Sequence, residues 1–174
     1  MVRCGARCTG GAGAAATVGA VATPDNEPSA RSIENLIATY AERVDAGDFA
    51  GLGELFDEAA FGGSAAAVRG REPVEKLFRA MVRVYEDGTP RTKHVTTNIR
   101  IDVDAAAGTA EAHSYVTVFQ ALPDLPLQPI VAGRYRDLFS SADGVWRFIE
   151  RRFTTDLVGD VSKHLLVGPD VLGP

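Results

Sequence analysis

The sequence predicts an α+β domain in which helices come first and long strands follow. Helical patterns occupy residues 32–86, and four β-type runs occupy residues 91–153. The first two of these runs, 91–103 and 111–119, are joined by a short Asp/Ala/Gly connection. Thr, Val, Ile, Tyr and Phe dominate them, as strands prefer. A series of helices followed by a series of strands is typical of α+β domains.

Two helices are predicted near the start of the domain. An apolar face at helical spacing predicts the first, from Ile33, Leu36, Ile37, Tyr40 and Val44. Ser29 or Ser32 is expected to cap its start, and Gly47 is expected to end it. Asp48 should cap a short second helix that carries Phe49, Leu52, Leu55 and Phe56.

A short strand and a third helix complete the first half of the domain. The small apolar residues 59–67 predict a short strand and a loop. Pro73 suits a first helical turn. An apolar stripe predicts a helix over Glu72–Glu86, made by Val74, Leu77, Phe78, Met81, Val82 and Tyr85.

The second half predicts four long antiparallel strands. The first two form a hairpin that closes near Ala106, which places His94 and His113 at matching depth on neighbouring strands. The third strand spans residues 128–140, and an Asp-Gly turn leads to the fourth, 145–153. A curled sheet with helices over its concave face would leave a pocket between the two layers.

Composition excludes several classes of function. The length of 174 residues predicts one domain and a tail. The net charge of -5 argues against a nucleic-acid partner, and no apolar run approaches the ~20 residues that cross a bilayer. Cys4 and Cys8 have no second pair of ligands, so neither zinc nor a disulfide is indicated. We expect a cytoplasmic protein without a metal, a membrane partner or a nucleic-acid partner.

Residues 1–30 are rich in Gly, Ala, Thr and Pro and predict a flexible tail. Residues 11–16 match a dinucleotide-binding fingerprint, but no strand precedes them. The same region resembles a signal peptide, although its Gly/Ala run is weakly apolar. A tail or a misassigned start codon fits better, with the domain at residues 31–165 and an extension at 166–174.

Short motifs, in this order, resemble the nuclear-transport-factor-2-like superfamily and its SnoaL-like branch. The first is Tyr40-x4-Asp45-Ala46-Gly47-Asp48-x3-Leu52-x2-Leu55-Phe56. The second, Arg91-Thr92-Lys93-His94 with Val95-Thr96-Thr97-Asn98, is also similar to a strand of scytalone dehydratase. The third runs from Asp143-Gly144-Val145-Trp146 to His164. The resemblance covers residues 32–165 and implies a cone-shaped, curved antiparallel sheet covered by three helices.

The resemblance also implies site residues. In the scytalone dehydratase pattern, an Asp at the end of the first helix pairs with a His on the first long strand, and a second His follows on the next strand. These positions match Asp45, His94 and His113. Tyr40 matches a tyrosine with which ketosteroid isomerases bind an oxyanion. The carboxylate that those isomerases carry after the second helix is missing from Phe61-Gly62-Gly63-Ser64, which weakens the isomerase interpretation.

Strict strand alternation places His94, Thr96 and Asn98 on one face of the first long strand, and Ile99, Ile101 and Val103 on the other. Such a polar row faces either solvent or a polar pocket, and the resemblance favours the pocket. An imidazole suits proton transfer near neutral pH. His94 is therefore the first candidate for an acid or base.

The other candidates each have a structural alternative. Asp45 could be a solvated carboxylate; turned inward at a helix C-terminus, its pKa should rise unless His94 compensates. Tyr40 could be a core aromatic or a pocket residue. His113 shares its face with other strand residues, which form either the pocket wall or an outer, partner-facing surface. His164 is expected to be exposed.

We therefore expect a cofactor-independent lyase or isomerase, of dehydratase or cyclase type, acting on a hydrophobic cyclic or polyketide-like molecule. His94, oriented by Asp45, would move a proton α to a carbonyl while Tyr40 holds the enolate oxygen. One alternative is a non-catalytic binding or assembly module that forms a homodimer through the outer sheet face. Epoxide hydrolysis is a further alternative, but it needs a second acid beside a water.

Overall fold

The structure is a computed structural model that describes residues 26–63, 66–168 and 172. The predictions for residues 1–25, including Cys4, Cys8 and residues 11–16, lie outside the described residues. The elements follow in the order α1 (Glu27–Asp45), α2 (Phe49–Glu54), β1 (Ala60–Gly62), β2 (Ala67–Arg69), α3 (Arg71–Met81), β3 (Thr92–Asp104), β4 (Thr109–Leu122), β5 (Leu125–Ser141) and β6 (Trp146–Val158).

The described strands form one curved, unclosed sheet in the order β2-β1-β6-β5-β4-β3. Strands β3 to β6 pair with their sequence neighbours in antiparallel fashion, as predicted. Strand β1, for which the sequence predicted no partner, runs parallel to β6. Helix α1 packs across β3 and β6, so the α+β arrangement of helices against one face of a sheet is confirmed.

The core lies between the helices and the inner face of the sheet. Strand β4 shows the alternation most clearly, because its inner face is buried at Ala110, Ala112, Ser114, Val116, Val118 and Gln120. Aromatic rings fill the space beneath α1, where Tyr40 has its edge against Phe56, at 6.2 Å between ring centroids. Phe56 in turn stacks on Phe148 at 5.2 Å.

A β-bulge changes which residues of β3 face this core. Thr97 pairs with Tyr115, but the next paired residue, Arg100, pairs with His113, so β3 contains one extra residue. Asn98 has a φ of 52°, the left-handed conformation that Asn tolerates better than most residues. The extra residue reverses the alternation.

The predicted faces of β3 were therefore wrong. His94 lies opposite Val118 and Ile101 lies opposite Ala112, and both partners belong to the buried face of β4. His94 thus shares the inner face with Ile101 and Val103 instead of opposing them. The bulge allows an imidazole and the apolar end of the strand to face the same core.

Two helix boundaries also differ from the prediction. Helix α1 begins at Glu27, so residues 27–30 are helical and not part of a tail. Neither predicted serine caps it, and the Ser32 hydroxyl donates instead to the Pro28 carbonyl.

Within the described residues, none of the helices combines the length and the apolar character that a bilayer crossing requires.

Helix α3 ends at Met81, five residues before the predicted end at Glu86. The reason is that Val82 is extended and forms an antiparallel bridge with Leu165. Leu165 and Val161 are buried against the core. The stretch Val161–Leu166, which we call the C-terminal segment, is therefore attached to the end of α3.

Candidate functional site

Asp45 and His94 are brought together where the end of α1 meets β3. Asp45 Oδ1 lies 2.7 Å from His94 Nδ1 and also accepts a hydrogen bond from the Thr92 hydroxyl at 2.8 Å. Oδ2 accepts from the backbone N–H of His94 at 2.9 Å. The His94 and Asp45 side chains are 8% and 9% exposed. Both carboxylate oxygens thus accept hydrogen bonds, and the side chain is almost completely shielded from solvent.

These contacts decide the charge of Asp45. Burial raises its pKa, but hydrogen bonds and charge from His94, with the bond from Thr92, outweigh burial and hold the pKa below its usual value. An ionised carboxylate can only accept, so the proton of the neutral His94 ring lies on Nδ1. The lone pair is then on Nε2, the nitrogen that Asp45 does not bond.

His94 lines a cavity of about 550 Å³ between α3, the sheet and the C-terminal segment. The walls are mainly apolar and include Phe61, Phe78, Met81, Val118, Phe153 and Leu165. Of the lining residues that the structure describes, those with polar side chains are Tyr40, His94, Tyr135 and His164. The volume and composition are typical of sites for small molecules. Among the described residues, no three His, Cys, Asp or Glu side chains converge as a metal site.

Tyr40 borders the cavity and rests on a buried ion pair. The Arg151 guanidinium lies 4.1 Å from the Tyr40 ring centroid and 4.2 Å from that of Tyr135. It donates two hydrogen bonds to Asp137, at 2.8 and 2.6 Å. Burial raises the pKa of both tyrosines, although the Arg151 charge acts against it. Both hydroxyls are therefore neutral hydrogen-bond donors near neutral pH.

The sequence analysis missed this ion pair, but the sequence does contain a signal for it. Asp137 and Arg151 are charged residues on inward-facing positions of two strands, and they lie directly opposite each other in the β5–β6 register. Charged side chains at such positions are rarely buried unless they are paired. A search for opposite charges on the buried faces of neighbouring strands would have found them.

His113 does not join the cavity. It lies on the opposite face of the sheet, where its Nε2 is 2.8 Å from Glu111, and Arg136 bonds the same carboxylate. The predicted matching depth is wrong, because His94 pairs with Val118, five residues further along β4. Of the two open interpretations of its face, the structure favours the outer surface.

His164 does join the cavity, although we expected it to be exposed. It is only 8% exposed, and its Nδ1 has no hydrogen-bond partner among the described residues. Burial and the neighbouring His94 lower the pKa of His164 to about 4. No periodicity in this part of the sequence indicated a buried position, because the bridge to α3 determines it.

The low pKa of His164 predicts a pH-dependent stability. The unfolded chain binds a proton at about pH 6.5 and the native ring does not, so stability falls as pH decreases from about 6.5 towards 4. When the pH falls from 6.5 to 4.5, the unfolding free energy of the unmodified protein should decrease by about 2 kcal/mol more than that of His164→Phe. Urea unfolding at both pH values measures this, with His113→Phe as the control. Equal losses in the His164→Phe variant and the unmodified protein would contradict it.

Comparison with solved structures supports the same fold. A protein of Novosphingobium aromaticivorans described as NTF2-like with a cystatin-like fold is 20% identical, with a TM-score of 0.63 over 80% of this chain and 88% of that one. A candidate scytalone dehydratase from the same organism is 23% identical, with a TM-score of 0.61 over 78% and 89%. ActVI-ORFA from Streptomyces coelicolor is 17% identical, with a TM-score of 0.60 over 74% and 98%.

At these identities the solved structures share the fold of this chain. No curated protein matches the chain. The model of the SnoaL-like domain family matches residues 28–152, which is most of the chain and includes Asp45 and His94. The resemblance found in the sequence motifs is therefore confirmed: the chain belongs to the SnoaL-like domain family and has the NTF2-like fold.

Proposed function

We propose that the protein is a cofactor-independent lyase or isomerase, of dehydratase or cyclase type. The substrate class is a hydrophobic cyclic or polyketide-like ketone. One observation carries the proposal: a buried His94 ring, 2.7 Å from Asp45, borders an apolar cavity of about 550 Å³. The family membership is consistent with it, and one structural neighbour is named as a candidate scytalone dehydratase.

The first step is removal of a proton next to a carbonyl. His94 Nε2 takes the proton with its lone pair, and the electron pair of the C–H bond moves into the carbonyl to form an enolate. The His94 ring becomes a cation, which the adjacent Asp45 carboxylate stabilises. The neutral hydroxyl of Tyr40 donates a hydrogen bond to the enolate oxygen.

The second step returns the proton. In a lyase, the enolate expels a β-hydroxyl group that leaves as water with the proton of His94, and a C=C bond remains. In an isomerase, the proton is returned to another carbon. In both cases the apolar walls keep bulk water away from the cation and the enolate.

Proton abstraction can be tested without the natural substrate. The bicyclic ketone 2-tetralone has acidic α protons and a size that suits the cavity. In D₂O, the protein should accelerate exchange of these protons for deuterium, measured by ¹H NMR. His94→Gln should lower the rate at least 100-fold. His113→Gln, on the outer face, should keep it.

Two results would contradict the proposal. Undiminished exchange in the His94→Gln variant would remove His94 as the base. Absence of exchange with the unmodified protein, despite binding of 2-tetralone, would favour the non-catalytic binding module that the sequence left open.

A further inference from the structure

His164 has a fixed backbone and an imidazole ring that makes no hydrogen bond to the described residues. Its N–H donates to the Val161 carbonyl at 2.9 Å, and its carbonyl accepts from the N–H of Arg83 at 2.8 Å. Two residues further along, the backbone N–H of Leu166 donates to the Met81 carbonyl at 2.8 Å. These bonds involve only the backbone, so they hold the residue against the cavity whatever its side chain.

The side chain itself is unusual for a core position. It is more than nine-tenths buried and borders the same cavity as His94, yet Nδ1 has no partner among the described residues. A buried polar atom without a partner destabilises the native state, and Phe would fill such a position without that penalty. Nδ1 is enclosed, so Nε2 is the ring nitrogen that a partner entering the cavity can reach.

The charges around the cavity restrict what that partner can be. Among the described residues that line it there is no Lys or Arg side chain. A carboxylate or phosphate would enter an apolar space without a cation to pair with, which is strongly unfavourable. A neutral oxygen, such as a phenol, an alcohol or a ketone, can bond a neutral imidazole without this difficulty.

We propose that His164 is a ligand-binding residue whose neutral ring hydrogen-bonds a hydroxyl or carbonyl oxygen of an uncharged, hydrophobic ring compound. The inference rests on the proposed function in using the same cavity. It does not require that His94 transfers a proton. It adds a polar contact point on the C-terminal segment, separate from Tyr40 and His94, and thereby selects oxygenated rings over plain hydrocarbons.

The test compares two probes of almost equal shape, 2-naphthol and naphthalene. Their dissociation constants are measured by fluorescence titration with the unmodified protein, His164→Phe and His113→Phe. The affinity ratio of 2-naphthol to naphthalene should fall about tenfold in His164→Phe, the loss of roughly one good hydrogen bond. His113→Phe should keep the unmodified ratio, because its ring lies outside the cavity.

An unchanged ratio in His164→Phe, or failure of the unmodified protein to bind 2-naphthol at all, would overturn the inference. A folding defect would not obscure the answer, because the ring nitrogens of His164 can be followed by ¹⁵N NMR in the unmodified protein. Their shifts should move on saturation with 2-naphthol and stay in place with naphthalene. No movement with bound 2-naphthol would also overturn it.

Failure of this inference is distinguishable from failure of the proposed function. Loss of 2-tetralone exchange in His94→Gln does not depend on His164, and loss of the affinity ratio in His164→Phe does not depend on proton transfer. If His94→Gln keeps the exchange while His164→Phe loses the ratio, the base is wrong and the binding residue stands. If His94→Gln loses the exchange while His164→Phe keeps the ratio, His94 remains the base and His164 is not a binding residue.

Discussion

Asp45→Asn is expected to lower the exchange of 2-tetralone by about 10² to 10⁴-fold. Both oxygens of Asp45 accept hydrogen bonds, from Thr92 and from the ring and backbone of His94. An Asn side chain presents one acceptor, the amide oxygen, and one donor group, the NH₂. In either orientation of the amide, the NH₂ therefore faces an N–H of His94. If the NH₂ faces the ring, the proton of His94 moves to Nε2, which can then no longer take a proton.

A second variant distinguishes the effect of the Asp45 charge from that of a general disturbance of the site. Thr92→Val removes one of the donors to Asp45 but leaves its contacts with His94. We expect less than about tenfold loss of exchange in this variant, because removal of a single hydrogen bond typically changes an energy by about 1 kcal/mol. Equal rates for Asp45→Asn and Thr92→Val would contradict the role given to the carboxylate.

The largest expected effect on stability is at the buried ion pair. Asp137→Ala leaves the fully buried Arg151 guanidinium without its counter-ion, between the rings of Tyr40 and Tyr135. Breaking such a pair at one partner typically destabilises by about 3–5 kcal/mol. The free energy of unfolding in urea, at pH 7, should fall by that amount.

The matched control replaces both members of the pair. Asp137→Leu with Arg151→Met removes the unpaired charge and keeps an apolar side chain at each position, so most of the lost stability should return. A loss below about 1 kcal/mol in Asp137→Ala would mean that the pair is less buried than its side-chain exposures of 1% and 0% indicate.

Much of the fold was predictable because local patterns determine it. Asp48 was predicted to cap α2, and its side chain does accept from the Gly51 N–H. The Asp-Gly turn and the four long strands follow from composition and alternation. The phase of β3 was not predictable, because one residue at Asn98 adopts a left-handed conformation and reverses the faces downstream of His94.

The residues of the candidate site were harder to predict than the fold, because distant parts of the chain bring them together. The sequence alone favoured a solvated Asp45, and only the family resemblance pointed it towards His94, 49 positions further along the chain. His164 could not be located, since its burial depends on a bridge between Val82 and Leu165 from distant parts of the chain. Contacts of this kind depend on tertiary packing, which hydrophobic periodicity does not report.

The position of the proton on the His94 ring tests the central claim most directly. Long-range ¹H–¹⁵N NMR of histidine-labelled protein at pH 7.5 distinguishes the two tautomers. We predict that Nδ1 carries the proton and that the Nε2 resonance shifts when 2-tetralone binds. A ring protonated on Nε2, or an Nε2 resonance unaffected by bound 2-tetralone, would contradict the claim that His94 is the base in this cavity.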